Sequence, residues 1–168
     1  MREKQNPIHI DVVHSAHLDL YWIGAQAVCL QKGAEIIDEA LQMANDDNTF
    51  CFFIETVRFL EYYLSRYPQR KEMLLRLIKN GQIEIGAAYT DRLENYHDGE
   101  SMLRNAVYGK KILHELLSIS TDICYHPDLP GLSEQTPQMY QKAGIRYYLF
   151  ARGFKNGARF RWKSPDGS

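Results

Sequence analysis

Short apolar runs rich in β-branched and aromatic residues alternate with longer segments of helical period along this chain, and that rhythm leaves few folds open. The runs fall at residues 8–13 (IHIDVV), 50–54 (FCFFI), 83–87 (IEIGA), 122–126 (DICYH) and 146–151 (RYYLFA). Strands that alternate with helices are joined by crossovers and lie parallel, so the expected class is α/β with a mostly parallel sheet. Between the runs, Ile37, Leu41 and Ala44 recur at helical spacing, as do Val57, Leu60 and Leu64. Pro68 is expected to introduce a third helix through Leu74, Leu77 and Ile78, stopped by Asn80 and Gly81. A fourth helix is expected from about residue 100 through Leu103, Val107, Leu113 and Leu117, and a fifth near residues 137–143.

A length of 168 residues suits one domain with one core. The 20 Lys+Arg against 21 Asp+Glu, interspersed along the chain, disfavour a nucleic-acid partner, which needs clustered positive charge. No stretch approaches the ~20 apolar residues of a membrane span. Residues 1–6 are polar and lead straight into a strand-like run instead of a signal-peptide core, so a cytoplasmic location is expected. Cys29, Cys51 and Cys124 are far apart and odd in number, which reads as inert thiols in a reducing compartment. Residues 159–163 (RFRWK) alternate like a strand and Ser164, Pro165, Asp166 and Gly167 read as a tight turn. The return strand is missing, so the chain is expected to be an N-terminal piece of something longer, whose open edges would favour self-association.

In α/β sheets and barrels, ligands bind beyond the carboxyl ends of the strands, which makes the polar residues after each run the candidates. After the first run come His17, Asp19 and Trp22; after the second, Glu55; after the third, Tyr89 and Asp91; after the fourth, Asp128; after the fifth, Arg152. His17 and Asp19 are two apart, so in extended chain both side chains point the same way and can meet one divalent ion, a donor pair that suits zinc. A solvated loop pair is the plainer alternative. Asp128 precedes Pro130 and Gly131 and reads either as a turn-capping residue or as a carboxylate turned into the cleft, with Ser133 placed to cap the next helix. Trp22 suits stacking on a sugar ring or ordinary core packing. Arg152 is placed to orient a carboxylate or bind substrate oxygens, His14 reads as structural, and Glu100 and Arg104 form an i, i+4 ion pair.

Several of these residues occur in a telling order: His17-x-Asp19-x-x-Trp22; Gly99-Glu100-Ser101 with Arg104 and Gly109; Pro127-Asp128-x-x-Gly131-x-Ser133 with Pro137, Gln138, Ala143, Gly144 and Ile145; then Trp162 with residues 164–168 (SPDGS). Together they closely resemble the N-terminal catalytic domain of glycoside hydrolase family 38, the zinc-dependent retaining α-mannosidases. The resemblance implies that residues 7–168 are a single, partial catalytic domain, the N-terminal part of a seven-stranded β/α barrel incomplete in this chain. It implies a single Zn2+ ligated by His17, Asp19 and Asp128, with Asp128 also the catalytic nucleophile, and a substrate site in which Trp22 stacks on the sugar and Arg152 lies near the nucleophile. The carbohydrate substrate would be an α-mannoside or related sugar. The family's fourth zinc ligand and general acid match no position of this chain, so the piece alone is expected to be inactive; Glu55, Asp91 and Glu94 are acids near the mouth with no assigned role. Pro130 stands where the family commonly has an aromatic, and Tyr89 near a family Trp. The alternatives are another metal-dependent sugar hydrolase such as a deacetylase, or a non-catalytic carbohydrate-binding remnant of the fold.

Overall fold

The computed structural model describes residues 10–152 and 159–168. Its elements alternate as the sequence rhythm requires: β1 (His14–Ser15), α1 (Gln26–Asp46), β2 (Phe52–Ile54), α2 (Val57–Arg66), α3 (Lys71–Lys79), β3 (Ile83–Ile85), α4 (Gly99–Leu117), β4 (Ile123–His126), α5 (Thr136–Lys142) and β5 (Tyr147–Phe150). Each helix forms over a stripe of apolar residues three or four apart that faces the sheet. In α1 the buried stripe runs through Leu30, Ala34, Ile37, Leu41 and Ala44, and in α4 through Met102, Ala106, Gly109, Leu113 and Leu117. Asp98 caps α4 by accepting a hydrogen bond from the Ser101 amide at 2.7 Å. Pro68 opens a 3-10 turn (Pro68–Arg70) that leads into α3, and Gly81, at φ +76°, follows the end of that helix.

The strands pair parallel in sequence order. His14 is in register with Phe52, Phe52 with Ile83, and Ile123 with Tyr147. The strands form a three-stranded sheet ordered β1-β2-β3 and a two-stranded sheet β4-β5, joined past the end of β3 by the Ala87 amide, which donates to the Ile123 carbonyl at 2.8 Å. The helices follow the same order, α1 against α2, α2 against α4 and α4 against α5. Beneath them Leu41, Leu60, Tyr63, Leu74, Leu77 and Leu113 form the main core, and Met102, Ala106, Cys124 and Tyr140 form a second cluster toward β4 and β5. Each fully buried leucine contributes about 1.5–3 kcal/mol of transfer free energy. Cys29 and Cys124 are buried and all three cysteines are free thiols. Among the described residues, no helix is long and apolar enough to cross a membrane.

Two expected strands are corrected. The first run was placed at residues 8–13, of which 8 and 9 lie outside the described residues, yet the ladder begins only at His14. Its partner runs out there: upstream of β2 the chain folds back toward α1, with Asp47 accepting from the Thr49 amide and hydroxyl. Ile10, Val12 and Val13 are accordingly 77%, 65% and 59% exposed. Residues 159–163 form no strand either. Trp162 instead packs its ring near Phe150 (5.9 Å) and Tyr148 (6.3 Å), and the turn that follows does form, with the Ser164 amide donating to the Ser168 carbonyl at 2.7 Å.

Candidate metal and catalytic site

The five strand ends meet around His17. On one side of its ring, Nδ1 lies 2.8 Å from Glu55 Oε1 and 3.3 Å from Asp91 Oδ2. On the other, Nε2 lies 3.4 Å from Asp19 Oδ1 and 4.0 Å from Asp128 Oδ2. Arg152 pairs through Nε with Asp128 Oδ1. Loops after β1, β2, β3, β4 and β5 thus supply, in turn, His17 with Asp19, Glu55, Asp91, Asp128 and Arg152.

Local backbone fixes these positions. Glu55 sits between the last residue of β2 and the start of α2, whose first amides would lack partners. Val57 and Arg58 instead donate to the carbonyls of Ala88 and Tyr89, each at 2.9 Å, which ties the Glu55 segment to the end of β3. Gly86 leaves room for the Glu55 carbonyl, which would stand 2.8 Å from any Cβ placed there. The Asp91 loop is held by Asn105 of α4, a buried side chain that donates to the Thr90 carbonyl at 2.8 Å and accepts from the Thr90 amide at 3.0 Å. Gly131 serves the Asp128 loop through space, not through an unusual φ: a side chain there would collide with Asn95.

The cluster is rich in carboxylates, and its inner side is buried. Glu55 is 5% exposed, and Glu55 Oε2 and Asp91 Oδ1 are buried carboxylate oxygens without a hydrogen-bond partner. Burial pushes the Glu55 carboxyl up to about 7, and the charges of Asp19 and Asp128 add to the rise. Asp91 is raised in the same direction, by burial first and by Glu55 next. Its Oδ1 faces His126 Nε2 at 3.5 Å. His126 is completely buried on β4, and burial together with His17 lowers its imidazole to about 4, so it is neutral at ordinary pH. Nδ1 of that ring lies 3.1 Å from the Tyr148 hydroxyl.

Ligand atoms of His17, Glu55 and Asp91 lie within 4.8 Å of one another, so these three residues could hold a metal ion. An imidazole amid several carboxylates, two of them with unpartnered buried oxygens, is a donor set that fits a divalent cation. The sequence singled out His17, Asp19, Asp128 and Arg152, and the fold brings all four together. Trp22 is 83% exposed, which sets core packing aside, and its amide donates to the Asp19 carbonyl at 3.3 Å on the same turn. Ser133 Oγ accepts from the Gln135 amide just before α5 instead of capping the helix itself. Glu94 is a buried structural carboxylate that accepts from Thr136 Oγ1, from the Ser133 amide at 3.1 Å and from the Tyr148 hydroxyl at 3.3 Å. Tyr89 donates to Glu61 at 2.8 Å, Glu100 and Arg104 pair at 2.6 Å, and His14 stacks on Phe50 at 4.7 Å. Sequence reasoning passed over Asn105 and His126 and gave Glu55 and Asp91 no role, although Glu55 directly follows one expected strand and Asp91 lies in the loop after the next.

Residues 7–168 match the model of the glycosyl hydrolases family 38 N-terminal domain. Human alpha-mannosidase 2C1 is 27% identical over 173 residues, covering 99% of this chain and 16% of its own length. A Halalkalibacterium halodurans protein, assigned only provisionally as a mannosylglycerate hydrolase, is 29% identical over 151 residues, covering 80% of this chain and 17% of its own. The crystal structure of an alpha-mannosidase from Enterococcus faecalis V583 matches with a TM-score of 0.72 at 26% identity, over 82% of this chain and 16% of that one. The chain therefore spans about a sixth of the length of these relatives. With a family match that runs almost end to end, the chain belongs to glycosyl hydrolases family 38 and carries that family's N-terminal domain.

Proposed function

We propose that these residues supply the nucleophile and most of the zinc ligands of a retaining, α-mannosidase-type glycoside hydrolase. The observation that carries the proposal is the convergence of Asp19 and Asp128 on the Nε2 side of His17, with Arg152 against Asp128. His17, Asp19 and Asp128 would hold the zinc. When bound, zinc supplies Lewis-acid contact to sugar hydroxyls, which orients the ring and favours its distortion.

The other steps belong to the chain. Trp22, exposed on the turn after β1, offers its face to the apolar side of a sugar. Asp128 attacks the anomeric carbon as the glycosidic bond breaks, and the leaving oxygen takes a proton from a carboxylic acid outside the matched positions. A water deprotonated by that same group then cleaves the glycosyl ester on Asp128 and releases the sugar with its configuration retained. Arg152 pairs with the Asp128 carboxylate and aims it. Support for a seven-stranded barrel comes from the parallel pairing throughout both sheets and from the open face of β5, where Tyr147 and Leu149 are 49% and 47% exposed while Cys124 and Tyr148 pack in the second core cluster.

The test is hydrolysis of an aryl α-mannoside by the full-length polypeptide that carries these residues. Asp128→Asn is expected to lower kcat by about 10³-fold or more, whereas Trp22→Ala raises KM. Hydrolysis that survives Asp128→Asn would overturn the assignment.

A further inference from the structure

We infer that Glu55 is a positioning residue for His17: from behind the ring it fixes the Nδ1–H tautomer, so that the lone pair of Nε2 faces Asp19 and Asp128. This rests on the zinc reading above and adds the device that aims the imidazole. An ionised carboxylate only accepts, so with Glu55 ionised the 2.8 Å contact between His17 Nδ1 and Glu55 Oε1 places the proton on Nδ1. The other nitrogen is then free to ligate, and it is the one that lies nearest Asp19 and Asp128. Asp91 Oδ2 lies beside Glu55, 3.3 Å from the same Nδ1.

Glu55 is well suited to hold a ring still. It is buried, and its neighbours Ile54 and Val57 are tied to the end of β3 through the Gly86 amide on the Ile54 carbonyl and the Val57 amide on Ala88, both at 2.9 Å. It lies 38 residues from His17 in sequence, so the contact reports the assembled sheet and not local chain geometry. A carboxylate behind a ligating imidazole both orients the ring and makes it a stronger donor. This assignment separates the four acids near His17 into two rows. Asp19 and Asp128 face the metal, while Glu55 and Asp91 face the far side of the ring. The competing arrangement places the cation on Nδ1, with Glu55 and Asp91 as direct ligands.

Two measurements on the full-length polypeptide decide between them, with zinc alone as the probe. Nitrogen-15 NMR of metal-free protein reads the His17 tautomer, and the same spectrum with zinc shows which ring nitrogen is ligated. Chelator competition gives the zinc affinity. We expect Nδ1–H in the metal-free wild type above about pH 7, where Glu55 is ionised, and zinc on Nε2. Glu55→Ala should mix the tautomers and weaken zinc by about 10–100-fold, and Glu55→Gln, which keeps the shape but loses the charge, should fall between. Zinc on Nδ1, or an unchanged tautomer and affinity in Glu55→Ala, would overturn the inference. If Glu55→Ala does not fold, Glu55→Gln decides alone: a several-fold loss of affinity supports the role and wild-type affinity refutes it. If instead the wild type binds no zinc, or Asp19→Ala and Asp128→Ala leave binding intact, the zinc reading has failed. The metal-free tautomer in wild type and Glu55→Gln then still shows whether Glu55 holds His17.

Discussion

Burial raises the Glu55 carboxyl from 4.5 to about 7 and lowers the His126 imidazole from 6.5 to about 4, so the two residues load the stability of the metal-free protein in opposite senses over one pH range. Between pH 4.5 and 7 folded Glu55 keeps a proton that the unfolded chain releases, so its contribution falls as pH rises, by up to about 1.4 kcal/mol per unit. Asp91, also raised, adds to that slope. Between pH 4 and 6.5 the unfolded chain binds the proton that buried His126 refuses, so the His126 contribution grows with pH at a similar rate. We therefore expect Glu55→Gln to make the slope of stability against pH more positive than in the wild type, and His126→Gln to make it more negative. Denaturant unfolding at several values between pH 4.5 and 6.5 in the absence of metal checks both signs. Parallel profiles for all three proteins would show that neither proton is held as the buried environments imply.

At the scale of the elements, the helices were legible because each writes an apolar stripe at its own period, as in Ile37, Leu41 and Ala44 of α1. The first strand was misplaced because an apolar run indicates burial without naming its ladder partner, and β2 offers none to residues 10–13. The candidate ligands were legible because they lie just past the strands that deliver them. The rows formed by Glu55 and Asp91 behind His17 were not, since a pairing across 38 residues exists only once three strands are in register. Asn105 was hidden for a related reason: it sits on the inner face of α4 beside Ala106, where its polar side chain breaks the stripe without revealing the Thr90 backbone it serves. Asn105→Ala leaves that half-buried amide and carbonyl without their side-chain partner and is expected to cost about 1–3 kcal/mol in urea unfolding. It should also loosen the Asp91 loop, visible as faster amide exchange at Thr90. A loss under about 0.5 kcal/mol with unchanged exchange would mean that water replaces the side chain.

For the molecule as a whole, the parallel strands carry the functional side chains to one end of the two sheets and leave Tyr147 and Leu149 of β5 exposed. With Ile10, Val12 and Val13 also exposed upstream of β1, the 168-residue chain on its own presents apolar side chains to water beside both sheets. Sedimentation of this chain is expected to show association that Leu149→Lys reduces, whereas a monodisperse monomer would indicate that the open face is tolerated in water. The account as a whole stands on Asp128 as the nucleophile of a double displacement beside His17 and Asp19. The most direct test treats the full-length polypeptide with a slow, fluorinated α-mannosyl donor and reads peptide masses. A mannosyl adduct on the peptide that contains Asp128, absent from Asp128→Asn, is the predicted result; hydrolysis without that adduct, or an adduct on another carboxylate, would contradict it.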